Sequence, residues 1–365
     1  MKLWLTIPLI LFVLACNDED PKSIPPVEQP PEQPIVCEQS ACWDSDFYVC
    51  RDTFYIDMFT RDQGWTGGDA TYSIALPDGK NLWLFGDTFI DQVSPDRSRP
   101  SFRLIRNSVV LQQGENLETI HGGTASTPDA FAKPPEANEW YWPGDGTVAN
   151  GKIYVFMHGF GTSGNGTWDF YRTSVDLLTL NPETLVIENN RRLFEDPAIS
   201  WGAAVMEDDD HTYVYGVLSS NGKKDLYVAR TNSDLSDPWA YFDGASWQED
   251  PFLATSILSD VSEQFSVFKD GDTYYLLTQH NLFGKEIYLF TSSSPAGQFT
   301  DKRTIYCTPE TSGNIWTYNA FAHPQVYSDS LLISYNVNSL DVDDLFESAD
   351  NYRPYFIRVG NWRKK

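Results

Sequence analysis

The chain has 365 residues and a formal net charge of −25, with Asp+Glu 51 against Lys+Arg 26. So acidic a surface repels the phosphate backbone, which excludes nucleic acid as a partner. Aromatic residues make up 15% of the chain, a bias that suits sheet, and the length admits one large all-β domain or two ordinary ones.

The N-terminus reads as a targeting segment. "MKLWLTIPLILFVLAC" has a lysine, a short apolar run and then Leu14-Ala15-Cys16. It resembles a bacterial lipoprotein signal whose cysteine, Cys16, becomes the lipidated first residue; the alternative is an ordinary secretory signal. The run is short for a membrane span. The acidic "NDED" and the Pro-rich "PPVEQPPEQP" that follow suggest an extended tether. The expected organisation is a signal peptide over 1–16, a tether over 17–44 and a folded domain over 45–365. A lipid anchor facing outward from the outer membrane follows from that reading. Outside the cytoplasm, Cys37, Cys42, Cys50 and Cys307 suggest disulfides, with three connectivities open. A bridge from Cys307 to the N-terminal segment is the preferred one. The spacing lacks a C-x-x-C pair, which argues against zinc.

From residue 67 one pattern returns. "GGDATYSIALPDGKNLWLFGDTF" reads as two strands around a turn at Pro77-Asp78-Gly79, with Asp69 and Asp87 on the two arms. Degenerate copies are "GDGTVANGKIYVFMHG", "WGAAVMEDDDHTYVYGV", "EQFSVFKDGDTYYLLTQ" and "AHPQVYSDSLLISYN". They lie roughly 60–75 residues apart, longer than a repeat of about 40–45, which leaves room for long loops. A recurring hairpin predicts an all-β, five-bladed β-propeller with four-stranded antiparallel blades. A pair of β-sandwiches would give the hairpin no reason to recur.

Aligned on the apolar residue before each turn (Leu76, Val148, Val205, Val267, Val326), the copies place Ser73, Asp145, Gly202, Gln264 and His323 in register. Asp69 matches Asp260 and Asn319, while Asp87, His158, Val217, Gln279 and Asn336 follow the second strands. The expectation is that Asp69, Asp87, Asp145, Asp260 and His323 converge on one mouth of the channel. Each has a structural alternative: a strand-end or turn cap for Asp87, Asp145 and Asp260, and a core position for His323. Glu263 competes with Asp260 as a third acid. Carboxylates around a pocket suit glycosidic cleavage, which needs one protonated and one ionised group. Trp65, Trp140, Tyr141, Trp142, Trp201, Trp316 and Tyr318 are candidates for stacking on sugar rings, although aromatic residues more often fill cores. His158, Gln279, His323 and Asn336 are candidate substrate contacts. The site needs no cofactor; a cation such as calcium in the channel is an open alternative. "GFGTSG" follows a strand but opens no helix, so it is no dinucleotide site.

"GWTGGDATYSIALPDGKNLWLFGDTF", "WYWPGDGTV" and "AHPQVYSDSLLISYNVNS" resemble a bacterial propeller group, the domains of unknown function 4185 and 5005. The resemblance runs over about residues 50–362. Members similar to the 4185 group are recognised as endo-D-arabinanases of glycoside hydrolase family 183. That implies a five-bladed propeller with aspartates at the axial mouth: Asp69 and Asp87, with Asp260 or Glu263 as the third. The expected function is a surface-anchored, monomeric glycoside hydrolase acting on an extracellular polysaccharide such as an arabinan. A non-catalytic carbohydrate-binding lipoprotein of a glycan-uptake system is the alternative, and an adhesion propeller a third.

Overall fold

A computed structural model describes residues 36–38, 40–166, 168–208, 211–236, 238–281 and 283–363. The expected signal peptide, the lipidation site Cys16 and most of the tether lie outside the described residues.

The chain forms five antiparallel blades, as the recurring hairpin predicts. Blade 1 runs outward through Gln63–Ala75, Asn81–Gln92, Ser108–Gln113 and Asn116–Ile120. Blade 2 uses Trp140–Ala149, Lys152–Thr162, Phe170–Leu180 and Ile187–Glu195. Blade 3 begins with Ser200–Asp208, His211–Ser220 and Lys223–Asn232 and is finished by shorter strands. Blade 4 uses Ser266–Asp270, Thr273–Gln279, Glu286–Ser292 and Thr300–Cys307. Blade 5 starts with Ile315–His323, Leu331–Ser339 and Arg353–Gly360. Its outer edge comes from the other end of the chain, through Tyr48–Arg51 and then Val36–Glu38. The blade therefore recruits residues that the sequence assigned to the tether. The innermost strands touch in cyclic order and close the ring.

The core lies between the blades. Tyr72, Leu84 and Val155 sit between blades 1 and 2, and Phe156, Trp201 and Val214 between 2 and 3. Tyr215, Phe265 and Leu276 fill the wedge between blades 3 and 4; Leu289, Ile333 and Ile357 fill the next. Trp65, Trp83 and Phe356 pack blade 5 against blade 1. Aromatic residues, each burying a large apolar area, suit the widening gaps between twisted sheets. This explains the unusual aromatic content without assigning most of it to a ligand.

Disulfides join Cys37 to Cys50 and Cys42 to Cys307. The second ties the N-terminal segment to the outer strand of blade 4, the bridge preferred from sequence.

Candidate active site

The opening hairpin turns where expected: the Gly79 N–H donates to the Leu76 carbonyl at 3.0 Å with Gly79 at φ +82°. The surprise lies on its first arm. The register with the second strand slips between Gly68 and Ala70, and again between Ala70 and Tyr72. Ala70 and Thr71 take φ of 72° and 68°, left-handed values that strain a residue with a β-carbon, above all a β-branched one. Bulges re-aim side chains next to functional sites, and this one carries Asp69 out of the regular alternation. Asn336 on blade 5 holds the distorted backbone, donating to the Gly68 carbonyl at 3.1 Å and to Thr71 Oγ1 at 3.0 Å.

Asp69 lands beside Asp87 of the second arm. A β-carbon at residue 86 would run into Asp69 Oδ1, so Gly86 is what admits the carboxyl here. The Asp87 backbone N–H also bonds the Asp69 carboxyl. Tyr318 and Tyr352 donate their hydroxyls to Asp69 Oδ2 at 2.8 and 3.1 Å. Asp87 has different partners. Trp142 Nε1 donates to its Oδ1 at 2.8 Å, and Arg106 lies 3.1 Å from its Oδ2. Burial, joined by the nearby Asp87 charge, pushes Asp69 up to about 7 despite the tyrosine hydroxyls. Burial also raises Asp87, but the Arg106 charge and the Trp142 indole oppose it. The environments separate the two groups: Asp69 keeps its proton, and Asp87 ionises first.

The pair lies in the wall of a cavity of about 1140 Å³. Aromatic rings surround it in a nearly continuous arc. Trp142 contacts Phe160 at 4.6 Å and Phe170 at 5.2 Å between ring centres. Trp168 of blade 2 reaches Phe283 of blade 4 at 6.1 Å. Phe283 packs on Trp316 at 4.2 Å, and Trp316 on Tyr318 at 4.3 Å. Trp168 is 57% exposed, a ring edge left at the rim rather than spent in the core.

Across the ring from blade 1 stands Glu263. Arg172 donates to it at 3.0 Å and Ser219 at 2.7 Å. Burial works to raise this acid, but Arg172, Ser219 and Lys224 outweigh it and hold it below the usual carboxylate range. His158 is buried in the same wall. Burial and the Arg172 charge hold its ring down to about 4. Neutral and 3.0 Å from the Trp201 carbonyl, its Nε2 carries the hydrogen, which leaves Nδ1 an acceptor.

The structure thus brings Asp69, Asp87, Glu263, Trp142, His158, Trp316 and Tyr318 into one cavity wall. It separates the other candidates. Asp145 faces a second cavity of about 360 Å³, at the other end of the inner strands. There its carboxyl accepts from the Gly146 and Val205 N–H groups at 2.8 and 2.9 Å, linking blades 2 and 3. Burial pushes it up to about 7, so it holds a proton without serving the Asp69 mouth. Asp260 is exposed at a bend with φ +64° and lines neither cavity. His323 is fully buried between Ser73, at 2.6 Å, and Ser334, at 2.8 Å. The alignment put it in register with Ser73, which it does meet; that level of the inner strands lies away from the Asp69 mouth, beside the smaller cavity that Ser73 lines. Trp65 and Trp201 are core side chains, at 0% and 2% exposure. Gln279 is buried and donates to the Gly284 carbonyl at 2.7 Å and Thr317 Oγ1 at 3.0 Å, steadying the loop that carries Phe283. Asn336 acts on the bulge, as described, without reaching the cavity wall.

Sequence reasoning missed Arg106, Tyr352, Arg172 and the Trp168–Phe170 rim. "GTWDFYR" carried a signal in its aromatic density; Tyr352 sits far along the chain in a segment with no motif. Among the described residues, no group of three or more His, Cys, Asp or Glu side chains is placed to hold a metal ion.

No curated protein matches the sequence. Among solved structures, the chain is similar to a crystal structure from Bacteroides ovatus ATCC 8483 described as a "putative hydrolase". The TM-score is 0.79 and the identity 27%, over 90% of this chain and 94% of that one. An α-L-arabinofuranosidase from Lactobacillus brevis shares the fold at TM-score 0.50 and 10% identity, over 82% of this chain and 94% of that one. A family model matches residues 52–362, and the chain belongs to that family, Domain of unknown function (DUF5005).

Proposed function

We propose that the protein is a glycoside hydrolase that cleaves an extracellular polysaccharide, with an arabinan the leading candidate, and that it works from a lipid anchor at Cys16 on the outer membrane surface. The observation that carries the chemistry is the Asp69–Asp87 pair: two adjacent half-buried carboxyls, one paired with a cation and one not, in an aromatic-lined cavity. Asp69, protonated up to about pH 7, donates to the departing glycosidic oxygen. Asp87, ionised and aimed by Trp142 and Arg106, attacks the anomeric carbon or takes a proton from water. Tyr318 and Tyr352 then stabilise the negative charge left on Asp69. The similarity to a structure described as a hydrolase agrees with this reading.

The test is release of new reducing ends from a panel of plant and bacterial polysaccharides, D-arabinan included. Wild type is expected to release sugar, while Asp69→Asn and Asp87→Asn each lose at least about 10³-fold in rate and keep their fold. Turnover undiminished in both variants overturns the assignment. Binding without turnover by the wild type would establish the carbohydrate-binding lipoprotein instead, since the aromatic walls suit both.

A further inference from the structure

The wall opposite the acid pair holds polar groups that the chemistry above does not use. Ser200 is 1% exposed, and its Oγ has no hydrogen-bond partner among the described residues. Gln264 Oε1 and Arg172 Nε are likewise buried and unpartnered. All three residues line the large cavity. Leaving such an atom unsatisfied is costly, and native proteins seldom do so away from a ligand or water. These atoms cluster on blades 3 and 4 and the adjoining strand of blade 2, around the ionised Glu263.

The geometry points to a subsite built from Ser200, Glu263 and Gln264 that holds a neutral, hydroxyl-rich sugar unit of the same chain whose linkage Asp69 and Asp87 cleave; this rests on the glycoside hydrolase reading of that pair. The group is rich in acceptors. Glu263 is held ionised, Gln264 offers Oε1, and the neutral His158 ring has Nδ1 free of a proton. Sugar hydroxyls supply the matching donors. The Arg172 charge is balanced, with Nη2 on Glu263 and the guanidinium 5.3 Å from the centre of the Phe160 ring, which leaves its buried Nε to donate to a neutral ligand. Lys224, the other cation of this wall, reaches Asn281 on the rim at 3.5 Å. A uronate or sulfate placed here would meet the Glu263 carboxylate. Trp168 and Phe283, meeting above from blades 2 and 4, provide apolar faces for the ring.

Binding separates this subsite from catalysis. Neutral arabino-, xylo- and gluco-oligosaccharides, and an oligogalacturonide of equal length, would be titrated calorimetrically into the Asp87→Asn protein. The same would be done with Glu263→Gln and Ser200→Ala added singly. At least one neutral oligosaccharide is expected to bind more tightly than the galacturonide. Glu263→Gln should weaken that binding about tenfold to a hundredfold, and Ser200→Ala, which leaves the Arg172–Glu263 pair intact, about threefold to tenfold. Unchanged affinity in Ser200→Ala together with Glu263→Gln, preference for the galacturonide, or no neutral ligand bound at millimolar concentration each overturns the subsite. Reducing-end release by the Asp87-intact protein is scored separately. Cleavage that is indifferent to both substitutions keeps the hydrolase and removes the subsite. Neutral-sugar binding that both substitutions weaken, with no cleavage, keeps the subsite and removes the hydrolase.

Discussion

Asp69 and Asp87 differ by what touches them rather than by their distance along the hairpin. Only Asp87 has a cation, Arg106; Asp69 has neutral donors. Hydrogen bonds to an ionised carboxyl lower its pKa, so the tyrosines hold Asp69 nearer 7 than burial alone would. If protonated Asp69 is the acid, rate falls as pH rises through about 7. Tyr318→Phe removes one donor from the ionised form, and Asp69 then titrates higher. The alkaline limb of the rate profile should move up by about 0.5–1 pH unit, the equivalent of one hydrogen bond. A limb that stays in place would mean that another group gives the proton. Asp69 and Asp87 stood out in the sequence because they sit on the two arms of one hairpin, and Tyr318 stood out only as an aromatic for stacking; that Tyr318 and Tyr352 bond Asp69 did not, since both arrive from blade 5.

At the scale of the strand, the site depends on a distortion. A regular strand would send Asp69 along the ordinary alternation; the double bulge at Ala70 and Thr71 turns it to Asp87 instead. Backbone strain of this kind persists only where neighbours enforce it, and Asn336 is the neighbour. Asn336→Ala should cost about 1–3 kcal/mol in denaturant unfolding, the penalty for leaving buried groups unpaired. It should also lower kcat more than it raises KM, because it displaces the acid rather than a sugar contact. A raised KM with kcat unchanged would place Asn336 in binding instead. Inner-strand bulges recur in blades 2, 3 and 5. Asp145 aligns with Ser73, and both line the smaller cavity; it was expected at the wrong mouth because that position lies nearer the hairpin turn than Asp69 does.

At the scale of the whole molecule, ring closure sets stability. Blade 5 is completed by strands from the start of the chain, and the Cys42–Cys307 bridge spans 265 residues. Cross-linking so long a loop restricts the unfolded chain, worth about 2–5 kcal/mol. Cys42→Ala/Cys307→Ala is therefore expected to melt several degrees lower, roughly 4–10 °C for a domain of this size, by calorimetry under oxidising conditions. An unchanged midpoint would show that strand pairing alone closes the ring.

The amino-acid sequence by itself determined the propeller and the hairpin that carries both aspartates, because strand alternation and turn residues are local and recur five times. It also indicated that Cys307 reaches back to the N-terminal segment. The tertiary structure alone decided which mouth each acid faces, that Trp65 and Trp201 are core, and that Glu263 rather than Asp260 enters the cavity. Those outcomes depend on the bulge that turns Asp69, on how far each residue lies from its hairpin turn, and on contacts between blades distant in sequence. Burial and neighbouring charge, which set the protonation of Asp69, exist only once the ring has closed.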